Sequence, residues 1–213
     1  MQLYSFFNSS TSYRVRIALA LKGLSTDYHG IDIRGGAQRA PGYTALNPSR
    51  AVPLLVDGDF TLSQSLAIID YLDQRAPLPR LIPLEPLARA RVLELARVIA
   101  CDMHPVNNLR ILKYLQQELG LSAAQKDAWY RHWVNEGFQA AEVLLARHGG
   151  THGWCFGEQP TLADVCLVPQ VANALRMGCD LGAYPRVLQA WEHASSHPAF
   201  VAAEPQRQPD FVD

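Results

Sequence analysis

No stretch of this sequence stays apolar for the ~20 residues that a helical membrane span requires. The opening MQLYSFFN lacks the charged start and long apolar core of a secretory leader, so none is expected. Cysteine is scarce. Cys101, Cys155, Cys166 and Cys179 show neither CxxC spacing nor a disulfide framework, so buried, reduced thiols in a cytoplasmic protein are expected. Neither sign of charge is in excess: Lys+Arg 19 against Asp+Glu 20 leaves a formal net charge of −1. With no basic run either, a nucleic-acid partner is not expected, and without a span neither is a membrane partner. No HExxH or Cys/His cluster suggests a metal. His148 and His152 are four apart, but Gly149-Gly150 between them argues for a loop.

What is present is an ordinary globular mixture, 48% hydrophobic and 18% charged over 213 residues, enough for one large domain or two small ones. QLYSF reads as a buried first strand. From about Thr11, the residues Val15, Ala18, Leu19 and Lys22 fall on one helical stripe that stops at Gly23. TDYHGIDI reads as a second strand, and the Gly/Pro-rich stretch Arg34 to Arg50 as a loop. AVPLLVDGDFTLSQS reads as a hairpin turning at Asp57-Gly58-Asp59, and SLAIIDYLDQRA as a helix. The order is β-α-β, then β-β-α. Four prolines in PLPRLIPLEP mark a boundary. Beyond it the texture is helical throughout: Ala88–Leu119, Ala123–Arg147, Thr161–Met177 and Arg186–Ser195. The expected domains are 1–80, α/β; 81–87, a linker; and 88–213, all-α.

Three segments have the residue types for chemistry. The hydroxyls Ser9, Ser10, Thr11 and Ser12 stand where the first helix begins. One suffices as an N-cap, worth ~1 kcal/mol. The others sit at a positive helix end that favours anions, a thiolate among them. A thiol that titrates near ~8.5 needs ~2.7 kcal/mol of differential stabilisation to move by ~2 units. Val52-Pro53 opens a strand; if cis, it would turn the Val52 main chain outward for a peptide-like ligand. Ser63 or Ser65 is placed to cap the next helix. Gln64-Ser65 also offers an amide, a hydroxyl and helix-end N–H groups to an α-amino carboxylate. In the helical part, Pro105 should bend the chain, with His104, Asn107 and Asn108 forming a polar face. Thr161-x-x-Asp164 reads as a structural capping box. Arg14, Arg16 and Arg110 read as surface cations, and Arg176 as one at a helix C-terminus.

These elements, in this order, resemble the glutathione transferases. That resemblance implies a thioredoxin-like N-terminal domain (βαβ-ββα) followed by an all-helical C-terminal domain, and covers essentially the whole chain. SSTSYRVRIALALKG, NPSRAVPLLVDGDFTLSQSLAIIDYL and HPVNNLRILKYL are similar to segments of the zeta class, which includes maleylacetoacetate and maleylpyruvate isomerases. The resemblance implies glutathione as cofactor. Its sulfur would lie at Ser9–Thr11, its cysteinyl backbone on Val52 and Pro53, and its γ-glutamyl group on Gln64 and Ser65. His104 and Asn108 would reach glutathione or substrate. Thr11 stands where the class usually has cysteine, which leaves Ser10 and Thr11 as rival contacts for the thiolate.

The implied reaction is cis–trans isomerisation of a maleyl-type dicarboxylate in aromatic-compound catabolism, by thiolate addition, rotation and elimination. Arg110 and Arg176 are then the candidate carboxylate anchors, with Arg176 also serving catalysis. A homodimer is implied. The rival readings are glutathione conjugation or dehalogenation of other electrophiles, and a non-catalytic interaction module.

Overall fold

The computed structural model describes residues 1–212. They divide into two compact units: Met1–Leu81 together with the chain from Ser196 on, and Ile82–Ser195.

The first unit is built on a four-stranded sheet in the order β2-β1-β3-β4. Strand β1 (Gln2–Ser5) leads into helix α1 (Ser10–Leu21), which returns the chain to β2 (Asp27–Gly30), parallel to β1. Helix α2 (Pro41–Leu46) precedes the antiparallel hairpin of β3 (Leu54–Asp57) and β4 (Phe60–Ser63), and α3 (Ser65–Arg75) follows. Leu3 of β1 faces Leu55 of β3 in register, each 1% exposed. With Ile17, Leu54, Ile68, Ile69 and Leu72 they form the interior. Each such side chain contributes ~1.5–3 kcal/mol by leaving water. The hairpin turn has two residues, with Gly58 first at φ 61, a sign of φ that glycine adopts without steric cost. This is the expected thioredoxin-like arrangement.

Lys22 ends the α1 stripe inside the protein. Its ammonium lies 2.6 Å from an Asp73 carboxylate oxygen. It also donates to the carbonyls of Ala76 and Pro79. Asp73 in turn accepts the Leu81 N–H. The pair therefore ties the end of α1 to the segment that leaves α3.

In the second unit, α4 (Pro86–Arg97) is capped by the Glu85 carboxylate, which accepts from the Leu87 and Ala88 N–H groups. Helices α5 (Leu109–Gln117), α6 (Ala123–His148), α7 (Leu162–Arg176) and α8 (Pro185–Ser195) follow. The Thr161–Asp164 box forms reciprocally at the start of α7. Asp164 also accepts the Cys155 N–H, so the box staples the preceding loop as well. Burial pushes the Asp164 carboxyl up, against the downward pull of those N–H donors.

Four expectations are corrected. Residues from Ser196 on, with α9 (Pro198–Ala202), belong to the first unit and not to the helical one. Side chains on α1 and β2 bind them, as described below. Helix α4 begins at Pro86, inside the expected 81–87 linker, because proline fits a helix's first turn. The stretch Ala88–Leu119 is not one helix. It passes through a π-helical turn (Val98–Met103) and a 3₁₀ turn (Pro105–Asn107), then restarts at α5. Pro105 has no N–H for the ladder, so the helix cannot run through it. Finally, the loop Arg34–Arg50 contains α2, again with proline in its first turn.

Breaking the Lys22–Asp73 pair leaves an uncompensated buried charge. Asp73→Ala is expected to lower unfolding free energy by about 3–5 kcal/mol in urea titrations. The double change Lys22→Met with Asp73→Leu should recover most of that loss.

Candidate functional site

Helix α1 starts at the chain's densest group of hydroxyls, and the structure gives each a different task. Ser9 is the N-cap, its oxygen accepting the Ser12 N–H at 3.3 Å. The Ser9 and Thr11 hydroxyl oxygens are 2.9 Å apart. Thr11 donates to the Val52 carbonyl at 2.9 Å. A hydroxyl has one hydrogen, and that of Thr11 is taken by a carbonyl that can only accept. Ser9 is therefore the donor in the Ser9–Thr11 bond. Ser12 accepts the Phe6 N–H at 3.5 Å. Ser10, half-exposed at the first helical position, has no side-chain hydrogen bond among the described residues.

The hydroxyl chain runs from the start of α1 to Val52. The Val52-Pro53 bond is cis. Val52 lies ahead of the β3 ladder, whose pairing begins at Leu54. Its carbonyl is not left open, contrary to expectation, because Thr11 occupies one of its lone pairs. Val52 itself packs with Phe6, Phe7, Tyr43 and Leu54.

The second arm is the start of α3. Neither Ser63 nor Ser65 caps it, contrary to expectation. The cap position is Gln64, whose side chain makes no capping bond. The helix end therefore keeps N–H donors without a side-chain partner, and these favour an anion. Ser65 is buried and accepts from Arg14 at 3.4 Å. Gln64 has φ 74 and ψ 114, a conformation that costs a non-glycine residue ~1–3 kcal/mol.

The surface reading of Arg14 and Arg16 is corrected: they are 1% and 5% exposed. Arg16 donates to the Phe6 and Phe7 carbonyls at 3.2 and 2.9 Å and to the Ser5 hydroxyl at 3.3 Å. Burial lowers its pKa to about 10, and nearby Tyr28, Tyr13 and Asp210 oppose that fall. It stays charged at neutral pH.

Within the second unit, Asn108 caps α5 through its side-chain oxygen, and Arg110 is exposed one position into that helix. Asn107 is buried and donates to the Tyr130 carbonyl at 3.2 Å. Arg176, exposed at the end of α7, donates to Asn173, which donates to the Tyr130 hydroxyl at 2.7 Å. Burial pushes that phenol's pKa upward. Tyr130 thus ties both the Asn107 turn and the Arg176 end of α7 to α6. His104 closes the π-helical turn and is half-buried. None of the four cysteines is in a disulfide, and Cys101 is exposed, against the expectation that all are buried.

The family model for the glutathione S-transferase N-terminal domain matches residues 8–75. A probable maleylacetoacetate isomerase of Vibrio cholerae is 46% identical over 210 residues, covering 98% of this chain and 97% of that protein. The chain belongs to the zeta class of the glutathione transferases. A holo structure of a bacterial zeta-class maleylpyruvate isomerase superposes with a TM-score of 0.97 at 42% identity, covering 100% of both chains. A maleylacetoacetate isomerase of Methylobacterium extorquens, solved with malonate and glutathione, gives 0.96 at 37% identity, again covering 100% of both.

In this zeta-class chain, the signal missed in the sequence was the burial of the arginines. Val15, Ile17 and Ala18 fill the positions between and beyond them, leaving α1 no polar face to lay toward solvent. Gln64 yields a test that needs no ligand. Gln64→Gly relieves the positive φ, and urea unfolding should show a gain of about 1 kcal/mol, the strain relieved less the entropy glycine adds to the unfolded chain.

Proposed function

We propose that the protein is a glutathione-dependent cis–trans isomerase of a maleyl-type dicarboxylate, maleylpyruvate or maleylacetoacetate, in aromatic-compound catabolism. The observation that carries the reading is the directed hydroxyl chain Ser9–Thr11–Val52 at the start of α1 in a zeta-class chain.

The residues present fit glutathione. Ser9 and Thr11 give hydroxyls at a positive helix end, Val52 and Pro53 a main-chain edge outside the strand ladder, and Gln64 and Ser65 a helix N-terminus with no side-chain cap. When bound, glutathione supplies a thiolate that adds to the activated alkene, lets the former double bond turn, and leaves unchanged.

The division of labour follows from the hydrogens. Thr11's is committed to Val52, so Thr11 positions. Ser9's goes to a neutral oxygen, and a thiolate is the stronger acceptor, so that hydrogen is the one that turns to the sulfur. With the α1 dipole it keeps the thiol ionised near neutral pH. Between the rivals Ser10 and Thr11, Ser10 has nothing to hold its hydroxyl in place, and Thr11 acts through Ser9. The uncapped α3 end takes the γ-glutamyl carboxylate, beside Gln64 and Ser65. Arg110 and Arg176 provide guanidinium forks for the substrate carboxylates, and Arg176 steadies the negative charge that develops during catalysis. His104 and Asn108 are taken to contact glutathione or substrate. The protein acts as a cytoplasmic homodimer.

An absorbance assay of both maleyl substrates with catalytic glutathione tests the reading, and conversion of neither sinks it. Free thiol lost in proportion to turnover would select conjugation instead. Ser9→Ala should lower kcat by on the order of a hundredfold or more, the loss typical of a preorganised donor. Thr11→Val should lose about tenfold, and Ser10→Ala should stay near wild type. Arg176→Ala should raise the maleyl KM and lower kcat; little change in either removes its role.

A further inference from the structure

The loop between β1 and α1 delivers Ser9, and its conformation is held from the far end of the chain. Phe7 is gripped at both of its main-chain polar groups by charged side chains. Its carbonyl accepts from Arg16 at 2.9 Å. Its N–H donates to an Asp210 carboxylate oxygen at 3.0 Å. The other Asp210 oxygen accepts the Tyr28 hydroxyl of β2 at 2.6 Å. Arg16 also donates to the Ala203 carbonyl at 3.0 Å, so one guanidinium fastens the loop and the C-terminal segment together. Phe211 stands edge-on to the Phe7 ring at 5.4 Å. Arg34 lies over the Phe6 and Phe7 rings at 5.4 and 5.3 Å. A Cβ at Gly30 would come within 2.9 Å of the Asp210 Cβ, so glycine at the end of β2 makes room for the carboxylate.

We infer that Asp210 is a positioning residue for the Ser9 hydroxyl, acting through the Phe7 peptide. The inference rests on the function proposed above. The mechanical path is short: Ser9 N–H donates to the Phe6 carbonyl at 3.0 Å, closing a turn, and that carbonyl belongs to the same peptide group whose N–H Asp210 holds. With Phe7 clamped at both its N–H and its carbonyl, that turn keeps one geometry, and the N-cap oxygen of α1 keeps one direction. A carboxylate suits the task because it takes Phe7 and Tyr28 on separate oxygens without needing a hydrogen of its own. Tyr28 is the second anchor, and its phenol is pushed upward by burial and by Asp210, so it remains a donor.

The charge and the positioning role predict opposite signs, which separates them. Removing a negative charge near the site stabilises a thiolate and lowers the thiol pKa. Releasing the loop misaims the Ser9 hydrogen and raises it. The groups facing Asp210 are the Phe7 N–H, the Tyr28 hydroxyl and the Arg16 guanidinium; removing the carboxylate eases its upward push on both titratable groups, while burial still holds the Tyr28 phenol protonated.

The experiment follows the ultraviolet absorbance of the bound thiolate against pH, with glutathione as probe, in wild type, Asp210→Ala, Asp210→Asn and Gln208→Ala. Gln208 fastens the same segment through the Ala202 and Glu204 carbonyls but does not touch Phe7. Asp210→Ala should raise the apparent thiol pKa by about one unit, a thiolate fraction about tenfold smaller at pH values well below both pKa values. Its kcat/KM for the maleyl substrate should fall by on the order of tenfold to a hundredfold, as displaced catalytic groups do. Asp210→Asn keeps an oxygen for Phe7 and should recover most of both, while Gln208→Ala should match wild type. A thiol pKa in Asp210→Ala that is unchanged or lowered overturns the inference, even if the protein melts earlier. A wild type that binds no glutathione overturns the functional reading and the inference together.

Discussion

The first unit depends on one buried guanidinium. Arg16 donates to oxygens on β1, on the loop that follows it and on the C-terminal segment: Ser5, Phe6, Phe7 and Ala203. Taking a cation out of water costs several kcal/mol, and the fall of its pKa to about 10 records that cost. Charge-assisted bonds to several acceptors offset it. A lysine has three donors at one point and could not reach acceptors spread around a plane; the arginine fork can. Remove it, and the Phe7 carbonyl loses its donor, the Phe6 carbonyl keeps the Ser9 N–H, and the C-terminal segment loses one of its fastenings to α1.

Legibility in the sequence tracks the distance over which a feature is decided. The Asp57-Gly58-Asp59 turn, the N-cap at Ser9 and the Thr161–Asp164 box depend on residues within a few positions of one another, and each stands where the residue types place it. The hydroxyl cluster, Val52-Pro53 and Gln64-Ser65 were likewise legible as segments. Their internal bonds were not. Thr11 meets Val52 across 41 positions, and Arg14 meets Ser65 across 51. Nothing in the spacing of either pair announces it.

The C-terminal segment is the plainest case. Its proline and glutamine content reads as a polar tail, yet Phe7 and Asp210 are joined across 203 positions. Asp210 is bound to Tyr28, Phe211 packs on Phe7, and α9 receives the Tyr13 hydroxyl at the Phe200 carbonyl. Composition reports whether a segment can build its own core. It is silent on whether a core built elsewhere has left donors for it. The burial of Arg14 and Arg16 has the same origin: an arginine at the start of a helix looks alike whether water or a carbonyl awaits its head group, and only the apolar residues on every side of α1 argue against water.

The same reasoning explains why four hydroxyls stand where one cap would do. A cap needs an acceptor, and Ser9 provides it. A thiolate site needs a donor whose hydrogen is held in place yet able to move. A freely rotating hydroxyl such as that of Ser10 spends most of its time pointed elsewhere. One donating to a main-chain carbonyl, as Thr11 does, already has a strong acceptor. Ser9 alone donates to another hydroxyl whose own hydrogen is spoken for, an acceptor that an anion readily displaces. Thr11 thereby prepares Ser9: by giving its hydrogen to Val52 it turns a bare oxygen toward Ser9 and so fixes which way the Ser9 hydrogen points. At the position where the class usually has cysteine, threonine sets the direction of that hydrogen bond, and in the function proposed above it is this direction, rather than the mere presence of hydroxyls, that suits the start of α1 to a thiolate.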